Sequence, residues 1–258
     1  MRDHASEAEL RVFVLGVLGA EERRSFLRRR RTRRADPEPE PVMVATTRAT
    51  VIRGHPVGEE EARAWLQEPA GLVEPELAIV NRILHLHRVA TADPYVREVA
   101  LEQALVVRVG YGAGEQVADG KWAEAVEVPR QPERVKREAA LRPQERLAAL
   151  LGGRDAALAC EELAIRARAD VDAGRVREAA LQLRVALEAA IAELEAWSGT
   201  RDLAARLDEL RGEREVVGAA ANEALRGGLS DATVAEVERV LGRVEAAIRA
   251  RAAGDPTP

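Results

Sequence analysis

The 258 residues carry 39 Lys and Arg against 44 Asp and Glu, a formal net charge of −5, and are 47% hydrophobic but only 3% aromatic. A chain of this length can bury one large core or two modest ones, and Ala- and Leu-rich, aromatic-poor composition with 32% charge has the texture of helical bundles and coiled coils. Cys160 is the single cysteine, which excludes an intramolecular disulfide scaffold, and no apolar run approaches the roughly 20 residues that span a bilayer; the expected compartment is the cytoplasm.

Residues 1–42 open on Ser6-Glu7-Ala8-Glu9, a capping-box pattern that predicts a short apolar helix through Phe13, Leu15, Val17 and Leu18. The β-branched content of that run keeps a strand open as the alternative. Acidic residues precede the run and arginines follow it, the reverse of a secretory signal. Eight arginines then fall between Arg23 and Arg34 with no acid among them, and Arg28, Arg29, Arg30, Arg31, Arg33 and Arg34 are the densest part. Such a cluster sets up a field suited to nucleic-acid phosphates or an anionic membrane surface. Its weight is reduced by an arginine-for-lysine skew of the kind a GC-rich genome produces. Alternating prolines and acids at 36–41 predict an extended linker and a domain boundary, leaving 1–42 as a basic N-terminal arm.

Residues 43–129 mix strand and helix signals. A β-branched run through Val44, Thr46, Thr50 and Ile52 predicts a strand, and 59–67 and 75–90 predict helices, the second with Leu77, Val80, Leu84 and His87 inward. Asp93-Pro94 is an N-cap and first-turn pair that predicts a short helix to 100. Residues 105–109 and 121–128 predict two further strands joined as a hairpin. The order β-α-α-β-β describes a small α+β unit.

From 133 to 253 the pattern is helical. Val176, Ala180, Leu183, Leu187, Ala190, Leu194 and Trp197 alternate steps of four and three without a miss, which keeps one narrow stripe against a partner helix. The pattern resumes at Leu203, Leu207, Leu210, Val217 and Ala221, and again, behind a capping Ser230, at Val234, Val237, Leu241, Val244 and Ile248. Helices are also predicted over 144–151 and 156–170. Breaks at Gly152-Gly153, Ser198-Gly199 and Gly227-Gly228 are too short for anything but antiparallel neighbours. The predicted fold is mainly α: an antiparallel helical bundle behind the α+β unit.

Within the bundle, Ala167 and Ala169 precede Gly174, and Ala179, Leu183 and Ala186-Leu187 follow it. Over 167–187 this resembles the central part of a tetratricopeptide repeat, with small residues where two helices cross and large ones filling the groove. The resemblance covers about one repeat, with no second copy at a 34-residue period. It implies a local helical hairpin and a partner-binding groove, for which Arg166, Asp170, Arg177 and Arg184 are the candidates.

No catalytic, cofactor or metal site is predicted. The glycines of 110–114 follow a strand but lack a dinucleotide-binding spacing and a following helix, and read as a hairpin loop. His85 and His87 point about 200° apart on a helix and cannot share a metal, and His87 reads as a core residue. Cys160 lies on an apolar helix face and reads as an inert packing residue. No histidine follows His87, which excludes a carboxylate-histidine metal site in the bundle. The leading expectation is a non-enzymatic interaction or scaffold protein that meets a protein partner or a second copy through its bundle. The alternative is nucleic-acid or anionic-surface binding by the arginine run. A third is a ligand site in the α+β unit around Tyr111, Glu115 and His87.

Overall fold

The computed structural model describes residues 11–19, 44–54, 58–129, 137–199 and 201–253. The chain divides into two compact units, Met1–Gln131 and Pro132–Pro258.

The first unit holds β1 (Arg11–Leu18), β2 (Thr46–Arg53), α1 (Glu59–Gln67), α2 (Ala70–Thr91), β3 (Arg108–Tyr111) and β4 (Glu124–Glu127). β1 and β2 form one antiparallel pair, in register from Arg11 opposite Arg53 to Leu18 opposite Thr46. The helix expected at Phe13–Leu18 is therefore corrected to a strand. Eight residues are too few to hold a helix without tertiary support, whereas the valines fit a pleat once Thr50, Val51 and Ile52 lie opposite. The pairing also draws residues 11–18 into the α+β unit. The linker predicted at 36–41 lies outside the described residues, in the connection between two paired strands. Arg53 of β2 donates to Glu76 of α2 at 2.8 Å and Arg11 of β1 reaches the same carboxylate at 3.4 Å, so one acid ties both strands to the helix.

Helix α1 starts with Glu59, Glu60 and Glu61, acids at the positive end of the helix dipole. Helix α2 buries Val80 and half-buries Leu77 and Leu84, but His87 is exposed and the inward row continues to Arg88 instead. From Val80 two steps of four follow the 3.6-residue period to Arg88, which corrects the core placement of His87. No helix forms at 94–100. Asp93 accepts only the Tyr95 N–H, at 2.9 Å, and the Asn81 side chain holds Val99 extended by bonding both its N–H and its carbonyl at 2.9 Å.

β3 and β4 are an antiparallel hairpin, extended by the Val128 N–H to the Val107 carbonyl. The strand begins later than 105 and leaves Leu105 and Val106 exposed. The Trp122 ring lies over Gly110: a Cβ there would stand 2.6 Å from Trp122 Cε3 and 2.8 Å from the Glu124 carbonyl. The Trp122 indole donates to the Val117 carbonyl at 3.2 Å, bracing the glycine-containing loop. The two small sheets are separate, each of two strands.

The second unit is an antiparallel helical bundle of α3 (Arg137–Leu151), α4 (Ala159–Asp172), α5 (Val176–Leu194), α6 (Arg201–Gly212), α7 (Arg214–Arg226) and α8 (Asp231–Ala253). α5 is central and packs against α4, α6, α7 and α8. Its predicted stripe is buried from Ala180 to Leu194, and Ala179, Ala186 and Ile191 are buried beside it. The narrow seam expected from the spacing is thus a broad face, as a helix with neighbours on several sides requires. Leu203, Leu207, Leu210, Val217 and Ala221 are buried as the spacing predicts, and so are Val237, Leu241 and Val244. Ser230 caps α8 by accepting the Thr233 N–H at 3.2 Å. Glu223 of α7 accepts from the Ser230 N–H and the Thr233 hydroxyl, each at 2.7 Å, which fixes the α7–α8 turn.

Candidate functional site

The polar chemistry of the bundle is concentrated where apolar packing runs out, at helix ends. Beyond the buried face of α8, Arg251 turns inward and is only 4% exposed. Its guanidinium meets Asp155, in the α3–α4 connection, at 2.5 and 3.3 Å, and stacks over the Trp197 ring at 4.7 Å from the centroid. Arg146 of α3 meets Asp155 at 3.4 Å and Glu161 of α4 at 2.5 Å. Two guanidiniums and two carboxylates therefore close this end of the bundle with balanced charge. Buried ions require this pairing, because an unpaired one costs several kcal/mol. The Arg251 guanidinium holds the Asp155 carboxyl below the usual carboxylate range. Among the described residues, Arg251 Nε and the Trp197 indole N–H have no hydrogen-bond partner.

A second cluster sits where α6 passes into α7. Glu213 is buried and receives two hydrogen bonds from Arg239 of α8, at 2.8 and 2.7 Å, and another from Arg243. Arg239 before all else holds the Glu213 carboxyl below its ordinary range. A third contact is a helix cap supplied from another helix. Glu193 of α5 accepts the N–H groups of Ala159 and Cys160 at 3.2 and 2.9 Å, placing negative charge on the first turn of α4. The Cys160 thiol below it is pushed up to about 12, first by burial and then by the Glu193 carboxylate. A thiol so protonated is a poor nucleophile at neutral pH, the inert role expected of it.

The residues proposed from the hairpin resemblance separate into two kinds. Asp170 accepts from Arg175 at 2.7 Å and so belongs to the α4–α5 turn around Gly174, whose φ is +70°. Arg177 donates to the Ala224 carbonyl at 2.9 Å, satisfying the end of α7. Asp170 is half-buried and Arg177 is exposed, each with its polar head held by a neighbour in the bundle. Arg166 is exposed and pairs with Glu162 one turn earlier, and Arg184 is exposed on α5. The arginines from Arg28 to Arg34 lie outside the described residues, as does the Ser6–Glu9 capping box.

In the first unit, His85 is half-buried, 3.2 Å from an Arg88 nitrogen and 3.9 Å from Glu98. Tyr111 donates to Glu124 at 2.9 Å, and Glu115 begins an exposed 3-10 turn. These contacts do not converge with His87 on one point. Among the described residues, no group of three His, Cys, Asp or Glu is arranged to hold a metal. No described helix is long and apolar enough to cross a membrane.

The ionic clusters and the Glu193 cap escaped a reading of the sequence because their members are far apart in the chain. Asp155 and Arg251 are separated by 96 positions. One local signal was present: Arg251 falls three residues after Ile248, on the continuation of the α8 stripe. No protein-family model matches the chain, and neither the curated proteins nor the solved structures contain a match to it.

Proposed function

We propose that this chain is a protein-interaction or scaffold module whose partner surface is the outer face of its helical bundle. One observation carries the reading. On α5, Leu181 and Val185 lie one turn apart on the side opposite the buried face and are 37% and 55% exposed, while Ile165 on α4 is 65% exposed. A single exposed leucine is ordinary, but a pair at this spacing is how an amphipathic surface is read by a partner. Arg184 and Glu188 flank the pair and supply a polar rim.

The test compares the full chain with a Leu181→Glu/Val185→Glu variant, using cross-linking followed by pull-down. The reading expects a partner retained by the parent chain and lost by the variant, with thermal unfolding of the two coincident. Equal retention overturns it.

A second reading rests on the arginine run alone, as a site for nucleic acid or an anionic membrane surface. Deleting the first 36 residues would also remove β1, so its test replaces Arg28–Arg31, Arg33 and Arg34 by Gln. Binding to polyanions should fall with salt and with this variant. Unchanged binding would refute it.

A further inference from the structure

We propose that the partner met by the outer face of α5 is a second copy of this chain, related to the first by a two-fold axis level with Leu181. The inference rests on that partner surface and names its occupant. The face is wider than α5, because α7 lies beside it. Arg177 meets the Ala224 carbonyl and Glu188 meets Arg214, so the two helices run antiparallel with Leu181 level with Ala220 and Ala221. On the outer side of α7, Glu215, Ala219, Asn222 and Arg226 follow at steps of four, three and four, and all are exposed. Four exposed charges on this face, Glu178 and Arg184 of α5 and Glu215 and Arg226 of α7, make no ion pair among the described residues. Glu215 and Arg226 stand roughly 16 Å apart along their helix, and Glu178 and Arg184 about a third of a turn apart in direction and roughly 9 Å in height, so neither pair closes within one helix. Their neighbours are matched, Glu188 with Arg214 and Glu162 with Arg166.

The occupant is a second copy because this face carries its own complement. A two-fold axis that sets Glu215 against the partner's Arg226 also sets Arg226 against the partner's Glu215. It must cross α7 midway between them, between Ala220 and Ala221. The contacts between α5 and α7 place Leu181 at that level independently. The same axis then brings Arg184, three residues beyond Leu181, against the partner's Glu178, three residues before it. One axis thus closes four ion pairs from the four unmatched charges, and no like charges on α5 and α7 fall opposite one another. Leu181 meets the partner's Leu181, Ala219 and Asn222 are small enough for close approach, and Leu225, 66% exposed, comes beside the partner's Gly218. A Cβ on Gly218 would meet nothing within 4 Å. This mid-helix glycine, which costs about 1 kcal/mol relative to alanine, has no packing reason inside the chain and gains one between copies. Charges of this kind select partner and register, while the apolar side chains among them supply the burial.

Light scattering of the full chain from micromolar to hundreds of micromolar concentration tests the proposal. The mass should climb from 28.1 kDa toward twice that value. Glu215→Arg sets arginine against arginine at both symmetry-related contacts and should weaken association by about tenfold or more, with far-UV circular dichroism unchanged. The exchange Glu215→Arg/Arg226→Glu restores opposite charge and should recover the dimer. Arg184→Glu should weaken it likewise, and Arg184→Glu/Glu178→Arg should recover it. In a Cys160→Ala background, mild oxidation should cross-link Leu181→Cys between copies and leave Ile165→Cys, exposed on α4, uncross-linked, which reads the axis directly. A monomer at every concentration, a dimer indifferent to Glu215→Arg, or exchanges that recover nothing would each overturn the second copy. If such a monomer still loses a different protein on Leu181→Glu/Val185→Glu, the partner surface stands without the second copy; if the variant loses nothing, both fall.

Discussion

The two units use similar side chains to opposite ends. In the second, leucines, valines and alanines of α4 through α8 vanish into a continuous core in which Leu183, Leu187, Leu194, Leu207, Leu210, Leu241 and Val244 are essentially inaccessible. Among the described residues of the first, the buried ones are Ala62, Val80 and Thr50, while Val12, Leu15, Val17, Leu86, Val89, Leu105 and Val106 are exposed. The difference lies in layers and not in hydrophobic content. A helix surrounded by others can bury a wide face, whereas a two-stranded sheet presents two faces and two edges and has little to cover them. Among the described residues the continuous core lies in the second unit, while exposed large apolar side chains occur in both.

The sharpest way to break this comparison is to remove equal volume from each side. Leu187→Ala, at the centre of α5, should destabilise the bundle by about 2–5 kcal/mol, whereas Leu15→Ala should change thermal unfolding by less than about 0.5 kcal/mol. Equal effects would show that the first unit has a core of its own. Next in size is Asp155→Asn. It strips the carboxylate from buried Arg251 and should cost about 3 kcal/mol at neutral pH.

The same substitution sharpens the electrostatic half of the comparison. Asp155 and Glu213 both titrate below the ordinary carboxylate range when folded. Their stabilisation is therefore present above an unfolded-state value of roughly 4 and is lost as pH falls through the lower folded values. Denaturant titrations from pH 7 down to pH 3 should show the parent bundle weakening in acid, and Asp155→Asn should flatten part of that decline.

Two smaller effects follow. Gly110→Ala should cost about 1–3 kcal/mol of local stability in the hairpin, because the added Cβ meets the Trp122 ring and the Glu124 backbone; tryptophan fluorescence would report it with bundle unfolding unaltered. Glu193→Gln weakens the charged cap on α4 and should cost about 1 kcal/mol, read from the thermal midpoint. It should also ease the Cys160 thiol downward, measurable as faster labelling.

Legibility followed the same division. The stripe from Ala180 to Leu194, the resumed leucines of α6 and the Ser230 cap are statements about neighbours three and four apart, and local pattern carries them into the structure unchanged. β1 was ambiguous because its apolar run satisfies either period, and only pairing with β2, almost thirty positions away, decides it. Asp93-Pro94 signalled a helix that Asn81 prevents by engaging Val99. Of the candidate groove residues, the sequence placed all four near one hairpin; Arg166, Arg177 and Arg184 are exposed, Asp170 is half-buried against Arg175, and only the Arg177 contact with a carbonyl of α7 depended on another element.

What the sequence determined alone was where helices lie in the bundle, which face of each is apolar and where the chain turns, because these depend on periodicity and on glycines and caps within a few residues. The tertiary structure decided which apolar faces are covered and which polar groups are neutralised. Arg251 is a buried ion only because Asp155 and Trp197 arrive beside it, and residues 11–18 are a strand only because β2 pairs with them. Burial and charge pairing depend on what comes to lie next to a residue in space, and the order of residues along a chain does not specify that.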